Sequence, residues 1–178
     1  MKQKHEILFT PVRVGGVTVK NRFVHAPMEG TTPINWYAGF KFNEGSRKYL
    51  VERAKNGVGL IIPGITCVKS LMGNKWLYQS EKMFMGPIHD LMEEIHGYGS
   101  KFFLQIGAGF GRVLVMPKEL KKVMNNKVLG KMIGTDKLLV AASDNMPNVW
   151  DPKVLQRAMT EEEIQDIIQG FAKAAALC

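Results

Sequence analysis

Lys101–Arg112 reads KFFLQIGAGFGR. An apolar run ends in three glycines at alternate positions, Gly107, Gly109 and Gly111. One structure that ends a strand this way is the dinucleotide-binding turn. It needs G-x-G-x-x-G opening a helix, so that a pyrophosphate can rest on the helix N-terminus. Gly107 and Gly109 supply the first pair, but Arg112 stands where the third glycine belongs, and no helical pattern follows. No acidic residue lies at the spacing that would meet a ribose. The dinucleotide reading therefore fails on three counts.

The other structure is a barrel strand. In (β/α)8 barrels the C-terminal strand ends and the loops after them build the active site. Gln105 then projects near the tip of the strand. Its amide carries donor and acceptor together, a match for the N–H/C=O edge of a flavin pyrimidine, and the glycines let backbone approach a flat ligand. Spacing alone is met more simply by a glutamine satisfied within a sheet.

Working outward, the flanks supply strands and helices in alternation. LFTPVRVGGVTVKN (residues 8–21) carries Val12, Val14, Val17 and Val19 around Gly15–Gly16, the pattern of a β-hairpin over residues 8–20. RFVHAPM follows as a short buried strand closed by Pro27. Asn43 to Gly57 reads as a helix whose face holds Tyr49, Leu50, Arg53 and Ala54, with Asn56–Gly57 as its stop. VGLIIPGITCV (58–68) is apolar throughout and rich in β-branched residues, as a strand buried on both faces requires. Pro87 to Gly97 reads as a helix with Ile88, Leu91, Met92 and Ile95 as its stripe. The opening stretch is then the third strand. Residues 113–158 show little periodicity and read as one long loop, a length that compact domains reserve for functional lids or disorder. Thr160 to Cys178 is the clearest helix. Thr160 and Glu163 form a capping box, and Ile164, Ile167, Ile168, Phe171 and Ala172 mark one face. Strands alternating with helices imply an α/β fold with a parallel sheet and right-handed crossovers.

Composition narrows the function classes. A chain of 178 residues with 46% hydrophobic content can bury one core. No apolar run reaches the roughly 18 residues of a membrane span, and the basic start MKQKHEILF has no apolar core or cleavage site, so a cytoplasmic location is expected. Cys67 and Cys178 lie far apart, with no CxxC or Cys/His metal spacing, and read as free thiols. The formal charge of +8 sits largely on Lys118, Lys121, Lys122, Lys127, Lys131 and Lys137. No aromatic residues interleave with these lysines as stacking platforms would need, so a solvated basic loop is expected rather than a nucleic-acid surface. His25 reads as a strand histidine facing away from the site. His89 and His96 share a helix face without a third metal ligand. Arg112 suits either an anion or a rim salt bridge. Trp36, Tyr37, Trp76 and Tyr78 fall in loops after strands.

Several of these stretches together resemble one family. LFTPVRVGGVTVKNRFVHAPM resembles the amino-terminal hairpin and first strand of the Old Yellow Enzyme family. GLIIPGITCV resembles its second strand, FLQIGAGFGR its third, and PNVWDP with MTEEEIQDIIQGFAKAA its pre-helix turn and third helix. The similarity is strongest to the enoate reductase and 2,4-dienoyl-CoA reductase branch, which includes bile-acid-inducible flavin oxidoreductases. The resemblance implies a TIM barrel with FMN at the carboxyl ends of its strands. It also implies NAD(P)H as reductant and hydride transfer to the activated C=C bond of an enone or enoyl-CoA. By position, Pro27, Met28 and Glu29 match the segment lining the isoalloxazine. Ile65 matches a backbone contact after the second strand, and Gln105 the glutamine on the pyrimidine edge. Glu29 departs from the small or neutral residue usual near flavin O4 and N5, where a carboxylate would repel the reduced, anionic flavin.

The resemblance also implies what lies beyond this stretch. The family's substrate-gripping His/His or His/Asn pair, its catalytic tyrosine, its phosphate site and the iron–sulfur cysteines of longer members all follow the fourth strand. The expectation is thus a single incomplete TIM-barrel flavin oxidoreductase domain over residues 1–178, a partial (β/α)8 barrel with an N-terminal hairpin and about three βα units. Three strands leave two open edges and a wet apolar interior. An oligomer, or completion by another polypeptide, is therefore expected. A non-catalytic, partner-binding module is the alternative. The strand segments ending near Met28, Thr66 and Gln105 are expected side by side and pointing the same way.

Overall fold

The computed structural model describes residues 3–28, 44–64, 66–68, 81–108, 111–112, 128, 132 and 139–178. After a 3-10 turn at Gln3–Phe9, Val12–Val14 (β1) and Val17–Val19 (β2) pair antiparallel, with Val14 opposite Val17 across Gly15–Gly16. Val24–Met28 (β3), Leu60–Pro63 (β4) and Lys101–Phe102 (β6) form a parallel sheet in the order β3-β4-β6. Thr66–Cys67 (β5) and Ile106–Gly107 (β7) form a second parallel pair. The backbone joins the two: Lys101 N donates to Gly59 O (2.8 Å), Phe103 N to Ile61 O (3.0 Å), Thr66 N to Gln105 O (2.8 Å) and Val68 N to Gly107 O (2.7 Å). The second and third barrel strands therefore run together over residues 59–68 and 101–107. The sequence suggests unbroken strands there; the third is instead two short pieces, β6 and β7, separated by residues 103–105.

The helices cover one face of the sheet. Glu44–Lys55 (α1) ends in a Schellman pattern, with Gly57 N donating to Ala54 O and Val58 N to Arg53 O, both 3.1 Å. Glu81–Gly97 (α2) begins six residues before the expected Pro87, so the proline lies within the helix rather than at its first turn. Leu50, Val51 and Ala54 of α1 pack with Leu91 and Ile95 of α2 over Ile61 of β4. Ile61, Leu91 and Ile95 are fully buried, each worth roughly 1.5–3 kcal/mol of transfer free energy.

Glu161–Leu177 (α3) starts at the expected cap. Glu163 N donates to Thr160 Oγ1 (3.2 Å), and Thr160 N donates to Glu163 Oε2 (2.9 Å). Its covered face is narrower than its apolar stripe: Ile167, Phe171 and Ala174 pack on Val68, Ile88, Met92, Leu104 and Ile106, whereas Ile164 and Ile168 are exposed.

The stretch expected to be loop from 113 to 158 differs from that expectation over its last part. Val140–Ala141 (β8), Met146–Pro147 (β9) and Leu155–Ala158 (β10) form a small sheet, β10 parallel to β8 and antiparallel to β9. Strands of two to four residues carry no readable period, and side-chain caps hold this sheet instead. Asp144 Oδ1 accepts from Ala158 N (2.7 Å), and Asn148 Oδ1 accepts from Trp150 N (2.9 Å) and Asp151 N (3.1 Å).

Candidate flavin site

Strand phase decides what the tips present. Phe102 packs with the α1–α2 cluster, and Leu104 and Ile106 pack against α2 and α3. Gln105 lies between Leu104 and Ile106 but belongs to neither cluster that packs on the helices. Its carbonyl is committed to Thr66 N, while its half-buried side chain makes no hydrogen bond among the described residues. A free amide is thus held at the end of a fixed strand.

The first strand presents its tip differently. His25 pairs with Ile61 and Met28 with Pro63, so three steps on β3 match two on β4. This register shift lies at Ala26–Pro27. Irregularities of this kind at barrel rims re-aim side chains next to active sites. Pro27 has no N–H to give the ladder and is tolerated where pairing is already broken. RFVHAPM was expected as a buried strand closed by Pro27. The strand instead runs on to Met28 and buries only His25, while Pro27 and Met28 are exposed. His25 faces α1: its Nε2 stands 3.4 Å from Tyr49 Oη, and the rings meet edge-on. That is the side away from the barrel interior. Met28 beside Pro63, and Thr66 beside Gln105, bring the ends of the three strands together, all running in one direction.

Glu29 and Ile65 lie outside the described residues, as do Trp36, Tyr37, Trp76, Tyr78 and the six lysines between Lys118 and Lys137. Of the five expected site residues, Pro27, Met28 and Gln105 are therefore described, at the same end of the sheet. No group of three or more metal-ligating side chains occurs among the described residues. No helix among them is long and apolar enough to cross a membrane.

The segment beyond Gln105 is gripped from below. Gly111 is buried with φ +88°, and a Cβ there would stand 3.1 Å from Val140 O, so the position admits only glycine without strain. Arg112 O accepts from Val149 N (2.8 Å), and Arg112 Nε donates to Pro147 O (3.1 Å). Arg112 thus anchors the loop to β9 through backbone. Gly111 and Arg112 themselves form a bend and a turn rather than helix. Gly111, Asn148 and Gln156 were not singled out as site residues in the sequence. The third glycine and the Asp/Asn-rich turn SDNMPN were the signals that could have found the first two.

A family model described as the NADH:flavin oxidoreductase / NADH oxidase family matches residues 7–178. The chain belongs to that family. Among curated members, the chain is 31% identical over 183 residues to cinnamate reductase of Clostridium sporogenes, covering 99% of this chain and 25% of that protein. It is 30% identical over 172 residues to NADH oxidase of Thermoanaerobacter brockii, covering 94% of this chain and 23% of that protein. The chain therefore spans about a quarter of the length of the curated relatives it matches. Among solved structures, a 2-naphthoyl-CoA reductase in complex with 2-naphthoyl-CoA superposes with TM-score 0.70 at 21% identity, over 97% of this chain and 25% of that one. The Old Yellow Enzyme from Pichia sp. AKU4542 superposes with TM-score 0.66 at 25% identity, over 96% and 42%. The fold of the described residues is accordingly part of an Old Yellow Enzyme-type TIM barrel, and the resemblance noted in the sequence holds.

Proposed function

We propose that this chain forms the first part of an FMN-dependent, NAD(P)H-oxidising reductase of activated C=C bonds, with Pro27, Met28, Glu29, Ile65 and Gln105 around the flavin. The observation that carries the reading is Gln105. It is a free amide between β6 and β7, outside the clusters that pack on the helices, and its carbonyl holds the second strand at Thr66. A glutamine amide complements the N3–H and carbonyl edge of the isoalloxazine. The exposed Pro27–Met28 rim offers apolar surface to a flat ring. These residues fit FMN. FMN held there would supply hydride transfer from NAD(P)H to the activated C=C bond of an enone, enoate or enoyl-CoA, with a proton completing the other carbon. The residues described here bind and orient; the group that supplies the proton is not among them. The iron–sulfur cluster of longer family members is assigned no residue of this chain. Residues 1–178 act as one incomplete barrel domain of a cytoplasmic enzyme, with small-molecule substrates and no role for nucleic acid or membrane.

The test is anaerobic. Protein purified with added FMN should retain a flavin absorption band after desalting, and that band should bleach on addition of NADH or NADPH. Colourless protein after desalting overturns the reading.

A second reading, a module that binds a partner or oligomerises, is favoured by exposed apolar side chains. Ile7, Phe9, Phe23 and Val24 cluster at the base of the first strand, where Phe9 and Phe23 meet edge-on at 5.2 Å, and Ile168 on α3 is 51% exposed. The outer edges of β3 and β6 carry no paired strand among the described residues. Both readings are compatible, since a flavin site and an apolar contact face occupy different ends of the sheet.

A further inference from the structure

Asn56 is the one asparagine of the chain that is followed by glycine, and the pair stands directly after α1. Asparagine before glycine is the pair most open to spontaneous deamidation, because no side chain shields the backbone nitrogen that attacks. In that reaction Gly57 N bonds to Cγ of Asn56, the Cγ–Nδ2 bond breaks, and ammonia leaves with the proton that Gly57 N gives up. Water then opens the cyclic imide at either carbonyl. The product is aspartate at 56 or isoaspartate, in which the main chain runs through the former side chain and is longer by one carbon. Water is the only co-reactant.

The pair is open to solvent. Asn56 is exposed, and a Cβ on Gly57 would meet nothing within 4 Å. What restrains it is hydrogen bonding. Asn56 Nδ2 donates to Glu52 O (2.8 Å) and to Glu52 Oε1 (3.0 Å), which fixes the amide that would leave. Gly57 N donates to Ala54 O (3.1 Å), so the nitrogen that would attack is committed to the helix end. Gly57 has φ +90°, the left-handed conformation of this kind of cap. The same residues join α1 to the sheet. Gly57 O accepts from Asn21 Nδ2 (2.7 Å), and Val58 N donates to Arg53 O (3.1 Å), just before β4 begins at Leu60.

We infer that Asn56 is a modification site, a deamidation point that the α1 cap and Glu52 hold unreactive in the folded chain, and whose reaction loosens the junction of α1 with β4. An aspartate at 56 places negative charge at the helix C-terminus, where the carbonyl ends of the dipole already stand, and one turn from Glu52. An isoaspartate lengthens the backbone at the cap and draws Gly57 O away from Asn21. The change is one-way, so it records how often the end of α1 has opened. The inference is independent of the flavin reading.

The experiment incubates the whole chain at mildly alkaline pH in native buffer and in denaturing urea, and locates ammonia loss by mass spectrometry of the peptide that holds Asn56. The unfolded chain should react at Asn56 faster by about tenfold or more, the ratio set by the free energy of opening the helix end. Glu52→Ala should raise the native rate about two- to tenfold, the effect of one lost hydrogen bond, with its rate in urea unchanged. Glu52→Gln keeps the acceptor oxygen and should react at the wild-type rate. Asn56→Asp, which carries one of the products, should unfold at a lower urea midpoint than wild type. Equal rates in native buffer and in urea, or equal native rates for wild type and Glu52→Ala, overturn the protection by the cap. An Asn56→Asp midpoint equal to that of wild type overturns the effect on the α1–β4 junction.

Discussion

Gly59 sets how closely the hairpin end of the chain packs under the barrel. A Cβ at this position would stand 2.9 Å from both Asn21 O and Val19 Cγ1. Asn21 in turn donates from Nδ2 to Gly57 O (2.7 Å) and accepts at Oδ1 from Phe23 N (3.1 Å). The Gly59→Ala substitution is expected to lower stability by about 1–3 kcal/mol, because the Asn21 backbone must move together with an Asn21 side chain held by its own hydrogen bonds. A lower urea midpoint with an unchanged slope checks this. Cys178 offers a residue-scale test of burial. Partial desolvation pushes its thiol up from the ordinary value, and Sγ donates to Ala174 O (3.3 Å). A thiol with a raised pKa in the folded state contributes stability below the unfolded pKa, and that contribution is lost as pH rises through the folded pKa. Alkylation at Cys178, located by mass spectrometry, should therefore run slower in folded than in denatured protein at pH 8, and the gap should narrow as pH rises. Equal rates at pH 8 would contradict it.

At the scale of elements, α3 depends on its cap. The Thr160–Glu163 box satisfies two otherwise orphaned N–H groups, and Arg157 holds the same Glu163 through two guanidinium contacts, one at 2.7 Å. Thr160→Ala should cost about 1 kcal/mol, read as a lowered urea midpoint. This cap was legible because its signal is local: two residue types at a fixed spacing before an apolar stripe. The face of the third strand was legible for a similar reason, since Phe102, Leu104 and Ile106 alternate with Gln105 and only one parity can meet the helices. The break between β6 and β7 at residues 103–105 was not legible, because no glycine, proline or other turn residue marks it. The sheet of β8, β9 and β10 was hidden because Asp144 and Asn148 side chains hold it rather than any hydrophobic period. Gln156 was hidden with it: nothing in VLQRAM distinguishes a buried glutamine from an exposed one.

The whole molecule joins an ordered scaffold to uncovered apolar surface. Val24 is 53% exposed and Met28 51%, while Ile61 on the neighbouring strand is fully buried against the helices. One side of the sheet is closed by α1 and α2, and among the described residues no helix covers the other. Association through the open apolar surface should appear in light scattering as a mass above the monomer that persists in high salt, since burial of this kind is not screened. Introducing charge with Ile168→Lys should reduce that mass if α3 forms the contact. A strict monomer at all concentrations would contradict the oligomerising reading and leave the flavin site untouched.

The central claim is that three parallel strand tips form a seat for an isoalloxazine, with Gln105 on its pyrimidine edge. Titration of FMN into the wild-type chain and into Gln105→Leu, followed by flavin fluorescence, tests it most directly. The account predicts saturable quenching with the wild type and binding weaker by about tenfold or more in the variant, at similar melting temperature. Equal binding by the two proteins, or none by the folded wild type, would contradict it.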